Sequence, residues 1–177
     1  MIRRFPSPMP PALDDLPEAA RQAPVVGWRV WRMRLAGGGV ALEGLRSADR
    51  WESGSTHARC RRCPPWMSNL HRVPDPACQC GLYAFSTLDE TLQLLLRQAR
   101  TLRGCGQPPP VAGAVIGWGR VVQHGRHGWR AERARPVALL DTGHPLLEPL
   151  ARHHNVPVLP LRGLRLLPLE YGEVLKG

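Results

Sequence analysis

Four of the chain's five cysteines fall inside HARCRRCPPWMSNLHRVPDPACQC, residues 57–80, together with two of its seven histidines. The thiols form two close pairs, Cys60-x2-Cys63 and Cys78-x-Cys80, separated by 14 residues that include His71. No other feature restricts the fold as much. A tetrahedral zinc ion takes four N or S ligands at roughly 2.0–2.3 Å, so such a set closes a loop into one fixed geometry. Two ligand sets fit. One uses Cys60, Cys63, Cys78 and Cys80; the other replaces Cys63 with His71, and the reading leans to His71. Free thiols or a redox pair are the competing explanations.

The setting favours a metal. The N-terminus, MIRRFPSPMPPALDD, has two arginines but no apolar stretch behind them, unlike a secretory signal. No apolar run approaches the ~18 residues of a membrane span. A reducing cytoplasm is therefore the expected location, where clustered thiols serve as metal ligands more often than as disulfides. The ligand candidates bring no carboxylate except Asp75, and the His-x-Glu of zinc deaminases is missing. One structural zinc is expected, not a catalytic one. His57 is expected at the surface, and the isolated Cys105 as a free thiol.

Charge gives the second constraint. The formal net charge is +10, and Lys176 is the only lysine. A GC-rich genome accounts for arginine in place of lysine but not for the excess charge. That excess is concentrated. Residues 25–63 carry eight Arg against three acids, and residues 111–136 carry five Arg against Glu132. Such segments point to a polyanion, and nucleic acid is the expected partner, DNA or RNA. The candidate phosphate contacts are Arg29, Arg32, Arg34, Arg120, Arg126, Arg130, Arg133 and Arg135. Trp118 and Trp129 lie among the last five of these, where an indole would either stack a base or fill the core; alternation with apolar neighbours favours the core. A His124/His127/Glu132 hydrolytic set is the least supported alternative, because no nucleophile elbow or phosphate loop accompanies it.

The fold expected is α+β: a twisted, barrel-like antiparallel sheet, one long amphipathic helix and a zinc-pinned loop. Residues 1–24 read as a flexible Pro-rich arm, which would be the contact of a protein-interaction adaptor, and 25–177 as a single domain with the metal segment at 57–80. Residues 25–35 alternate as a strand, but the apolar parity flips between Val30 and Trp31, which predicts a bulge or strong twist. VALEGL (40–45) returns as a hairpin. The pattern predicts a helix over 86–103, with Thr87 and Glu90 as a capping box and Leu88, Leu92, Leu95, Leu96, Ala99 and Leu102 as its apolar stripe. A hairpin is expected over 111–140, a short helix over 145–154 whose terminal His153 and His154 complement its dipole, and an extended edge segment at VPVLPL (156–161).

The motifs HRVPDPACQCGLYAF, VIGWGRVVQHGRHGWRAERARPVAL and LARHHNVPV resemble the pattern of a loose group of uncharacterised proteins from high-GC bacteria. The resemblance covers about residues 25–160. It implies Cys60, His71, Cys78 and Cys80 as the shared positions, with Cys63 extra, and implies no activity. The strand order is also faintly similar to PUA-type β-barrels that read nucleic acid, an analogy of fold alone.

Overall fold

The computed structural model describes residues 24–36, 39–46, 49–61, 63 and 71–171. The Pro-rich arm lies outside them. Among the described residues the fold is α+β, with seven strands in one mixed sheet and three helices. In chain order the elements are β1 (Val25–Ala36), β2 (Gly39–Gly44), β3 (Thr56–His57), β4 (Leu82–Phe85), α1 (Leu88–Leu102), β5 (Val111–His124), β6 (Gly128–Leu140), α2 (Leu147–His154), β7 (Val158–Leu159) and α3 (Leu161–Tyr171).

The sheet is built on two hairpins, β1–β2 and β5–β6, joined by the antiparallel β1–β5 ladder. β4 pairs with β6 along four residues and meets β1 at the single pair Trp28–Phe85. The pairings β1–β5–β6–β4–β1 thus run in a circuit. The expected all-antiparallel sheet is corrected at one place. β7 runs parallel to β6, which α2 makes possible by carrying the chain back along the sheet.

Of the bulge or strong twist expected at the parity flip in β1, the register contains no bulge. The β1–β5 register runs unbroken from Val25 to Trp31, and β1–β2 continues it from Trp31 to Ala36. The sheet is covered on both faces. Val26, Trp28 and Val30 point into one core with Leu88 and Leu95 of α1 and Leu164 and Leu167 of α3. Val25, Trp31 and Met33 point into the other, with Trp51 and with Leu147 and Leu150 of α2. The apolar residues change face because both faces are buried, so no bulge is required. The register shifts lie instead in the β5–β6 hairpin, between Ala114 and Val115 and between Trp118 and Val121.

Trp118 and Trp129 are both fully buried, as the alternation predicts. Trp129 donates its indole N–H to the Val26 carbonyl at 3.0 Å. Its ring has room because Gly27 and Gly117 carry no side chain. A Cβ on either would overlap the indole.

α1 begins where the capping box places it. Thr87 Oγ1 accepts from the Glu90 N–H and donates to Glu90 Oε2 at 2.9 Å. His127, in the β5–β6 turn, adds a 2.7 Å bond from Nδ1 to Glu90 Oε1. That bond is the chief cause holding the Glu90 carboxyl below its ordinary pKa. The expected stripe is right at Leu88 and Leu95 but wrong at Leu96, which faces solvent. The 145–154 helix forms as α2. His154, however, is buried, and burial lowers its pKa to about 4, so it does not charge to complement the helix dipole. α3 has no counterpart in the expected elements.

Candidate metal centre

The 58–81 segment leaves and rejoins the sheet on one strand. At its start Thr56 pairs with Ala134, His57 pairs with Arg133, and the Ala58 N–H donates to the Glu132 carbonyl at 2.8 Å. At its end Leu82 pairs with Ala131. β6 therefore holds both ends of the segment close together along one strand.

Cys60, Cys63, His71 and Cys78 each offer a ligand atom, and these atoms all lie within 4.8 Å of one another. Cys78 Sγ is 3.8 Å from both Cys60 Sγ and Cys63 Sγ. Two sulfurs bound to one tetrahedral zinc at about 2.3 Å are separated by about 3.8 Å, whereas a disulfide brings them to about 2.05 Å. The set keeps both His71 and Cys63, which the sequence treats as alternatives. Cys80 lies outside this mutually close set, buried, with its Sγ 3.4 Å from His71 Nε2.

The turn that carries Cys78 is fixed by its own sequence. Asp75 Oδ1 accepts the Ala77 N–H at 2.8 Å, and the Asp75 carbonyl accepts the Cys78 N–H at 3.1 Å. This is an Asx turn, which engages Asp75 Oδ1 with the backbone. Tyr83 Oη donates to the Gln79 carbonyl at 2.9 Å. From beneath, the guanidinium of buried Arg130 donates through Nη1 to the carbonyls of Asp75, Cys78 and Cys80. It also sits 5.7 Å from the Tyr83 ring centroid.

The thiols strongly affect one another. Hydrogen bonding from Cys60, then desolvation and Cys78, pushes the Cys63 thiol up to about 12. Desolvation first, with Cys78 and Cys60 adding to it, pushes Cys80 up to about 11. Thiolates packed this closely repel, and a bound cation reverses that balance by taking the sulfurs as anions.

The candidate phosphate contacts divide. Arg29 and Arg130 are turned inward. Arg29 donates to the Tyr83 carbonyl and lies 4.8 Å from the Trp51 ring centroid, and burial lowers its pKa to about 10, so it remains charged at neutral pH. Arg32, Arg34, Arg120 and Arg126 are exposed, Arg34 beside Glu43 at 3.8 Å. Arg133 and Arg135 are half-buried, and Arg133 Nε is 3.8 Å from Glu132. His124, His127 and Glu132 are engaged separately. His124 sits edge-on to Tyr83, His127 bonds Glu90, and Glu132 accepts the Arg120 N–H at 3.2 Å. Cys105 is an exposed free thiol.

Sequence reasoning missed the inward role of Arg130, although its position one residue after buried Trp129, opposite Tyr83 in the β4 ladder, is a signal in retrospect. No helix among the described residues is long and apolar enough to cross a membrane. No family model matches the chain, and neither does any curated protein or solved structure.

Proposed function

We infer that this protein is a zinc-stabilised, non-enzymatic nucleic-acid-binding protein that contacts backbone phosphates through exposed arginines. The observation that carries the metal is the Cys60–Cys63–His71–Cys78 set, whose two 3.8 Å sulfur separations match the edge of a zinc tetrahedron. Four protein ligands would fill the coordination sphere, and Asp75 Oδ1 is engaged in a turn, which favours a structural centre. It pins a long loop onto a sheet whose pairing circuit closes, barrel-like, through β4.

The net charge of +10 and exposed Arg32, Arg34, Arg120 and Arg126 support the polyanion. Buried Trp118 and Trp129 take no part in stacking, so the reading is of phosphate contact without base readout. Metal content and salt dependence test it together. Protein purified without chelator should hold about one zinc per chain by elemental analysis. Its affinity for mixed-sequence oligonucleotides should fall steeply as salt rises, equally for all sequences. Metal-free folded protein removes the first half of the proposal; the absence of oligonucleotide binding at low salt removes the second.

A further inference from the structure

We propose that the open groove beside the metal loop, of about 690 Å³, is the phosphate seat of this protein. This deepens the reading just given and rests on it. The groove is lined by His57 and Ala58 at the end of β3, Arg72 and Val73 from the metal loop, and Arg120 and Glu132 from the β5–β6 hairpin.

Arg120 is presented by a built feature. The β5–β6 register breaks between Trp118 and Val121, leaving Gly119 and Arg120 as a bulge. Gly119 has φ +75°, and a Cβ there would press on the Glu132 carboxylate at 2.9 Å. Glu132 Oε2 accepts the Arg120 backbone N–H at 3.2 Å, so the acid in the groove holds the bulge and leaves the guanidinium alone. Its other oxygen lies 3.8 Å from Arg133 Nε. Bulges of this kind bend a strand and re-aim a side chain. Here the side chain is an exposed arginine, and among the described residues no carboxylate comes within ion-pair distance of Arg120 or Arg72.

Two guanidiniums and the His57 imidazole thus line one groove. Their shared chemistry is that of a phosphate oxygen. A chain of phosphodiesters offers such oxygens in series, in keeping with the polyanion reading above.

The groove is also tied to the metal. Arg72 follows ligand His71, and His57 lies three residues before ligand Cys60. A metal that fixes His71 and Cys60 would fix the neighbouring groove walls with them, in which case phosphate and metal strengthen each other's binding by the same factor.

The test uses the full-length zinc-loaded chain. A mixed-sequence single-stranded 12-mer is titrated at several salt concentrations against wild type, Arg72→Gln/Arg120→Gln and Arg97→Gln/Arg100→Gln. The last pair removes equal charge from α1. The groove variant should lose about tenfold or more in affinity, with the salt slope flattened by roughly one to two units. The α1 variant should stay within about twofold, as screened distant charges do. Equal losses in the two variants, or wild-type binding by the groove variant, overturn the proposal. Should the wild type bind no oligonucleotide, the nucleic-acid reading fails, and inorganic phosphate decides the groove alone. Phosphate should then shift the His57 ring resonances in wild type and not in the groove variant; no shift in wild type overturns the groove. Zinc content and melting are measured on each variant, and Arg120→Gln alone carries the test if the double variant loses metal.

Discussion

Arg130 Nη1 donates to the carbonyl oxygen of Cys80 at 2.9 Å, and the same nitrogen reaches the carbonyls of Asp75 and Cys78. A strand residue whose sequence context reads as a phosphate contact is thus turned under the metal loop and is 4 % exposed. Its charge also faces a centre that is anionic once three thiolates bind a divalent ion.

Arg130→Gln should therefore act on the metal and not on the polyanion. Removing the donor takes this partner from the Cys78 and Cys80 carbonyls and leaves the Asp75 carbonyl with the Cys78 N–H alone, at about 1–3 kcal/mol for each carbonyl left buried and unpaired. We expect zinc to be lost at chelator concentrations at least tenfold lower than for wild type, with a lower melting temperature. The salt slope of oligonucleotide binding by the zinc-loaded variant should be unchanged. A normal chelator midpoint with a flattened salt slope would return Arg130 to the surface role.

The ligand set predicts an order of losses. Cys60→Ser and Cys78→Ser should abolish stoichiometric zinc and much of the fold, because structural zinc contributes on the order of 10 kcal/mol. Cys63→Ala and His71→Ala should each weaken binding severely, because both belong to the mutually close set. Cys80→Ser should retain about one zinc per chain, losing the thiol's contacts with His71 Nε2 and Cys78. The charge-transfer absorption of the cobalt-substituted protein, whose intensity follows the number of bound thiolates, checks this. Loss of metal in Cys80→Ser together with retention in Cys63→Ala would establish the other set.

The metal segment was legible in the sequence because cysteine spacing is a local signal, and so were the capping box and both hairpins. What sequence could not supply came from long-range packing. Cys63 and His71 looked like alternatives because each completes four ligands on paper; their closeness to Cys60 and Cys78 together is a matter of three-dimensional geometry that spacing does not give. The flip at Val30/Trp31 read as a bulge or strong twist because alternation assumes one buried face, and β1 has two. Arg29 and Arg130 are indistinguishable by composition from exposed Arg32 and Arg126, since burial of an arginine depends on carbonyls far along the chain. α3 was missed because LRGLRLLPLEY contains Gly163 and Pro168, both of which argue against a helix.

Gly117→Ala should be among the most damaging single-methyl changes in the protein. The added Cβ would overlap the Trp129 ring, and that ring is fully buried and bonded to the Val26 carbonyl. Overpacking of this kind costs about 1–3 kcal/mol. Gly54→Ala, where a Cβ meets nothing within 4 Å, serves as the matched control. Urea melts of the zinc-loaded proteins should show a lower midpoint for Gly117→Ala alone. Equal midpoints would mean that the indole can move aside.

The last expectation concerns acid. His154 is 1 % exposed, and its Nδ1–H donates to the Glu52 carbonyl at 3.2 Å. Nε2 has no hydrogen-bond partner among the described residues. Protonating it would place a charged N–H in the core, beside His153 at 5.0 Å between ring centroids and with Arg50 adding like charge. Burial accordingly lowers its pKa from 6.5 to about 4. Because the folded value is the lower one, the unfolded chain takes up this proton first as pH falls. The neutral imidazole contributes its full stability above pH 6.5 and loses it progressively down to about pH 4, a change on the order of 3 kcal/mol. Zinc thiolates also protonate in acid, so the wild-type curve alone does not isolate the histidine. His154→Asn keeps a donor for the Glu52 carbonyl and removes the titration. Urea melts from pH 7 to pH 4 should give a variant that is less stable at pH 7, from lost packing, but whose stability falls less steeply. The difference in slope should approach one proton between pH 6.5 and 4. Parallel curves would show that His154 charges within the folded protein, and that the contact between α2 and the Trp51–Glu52 segment opens to let it.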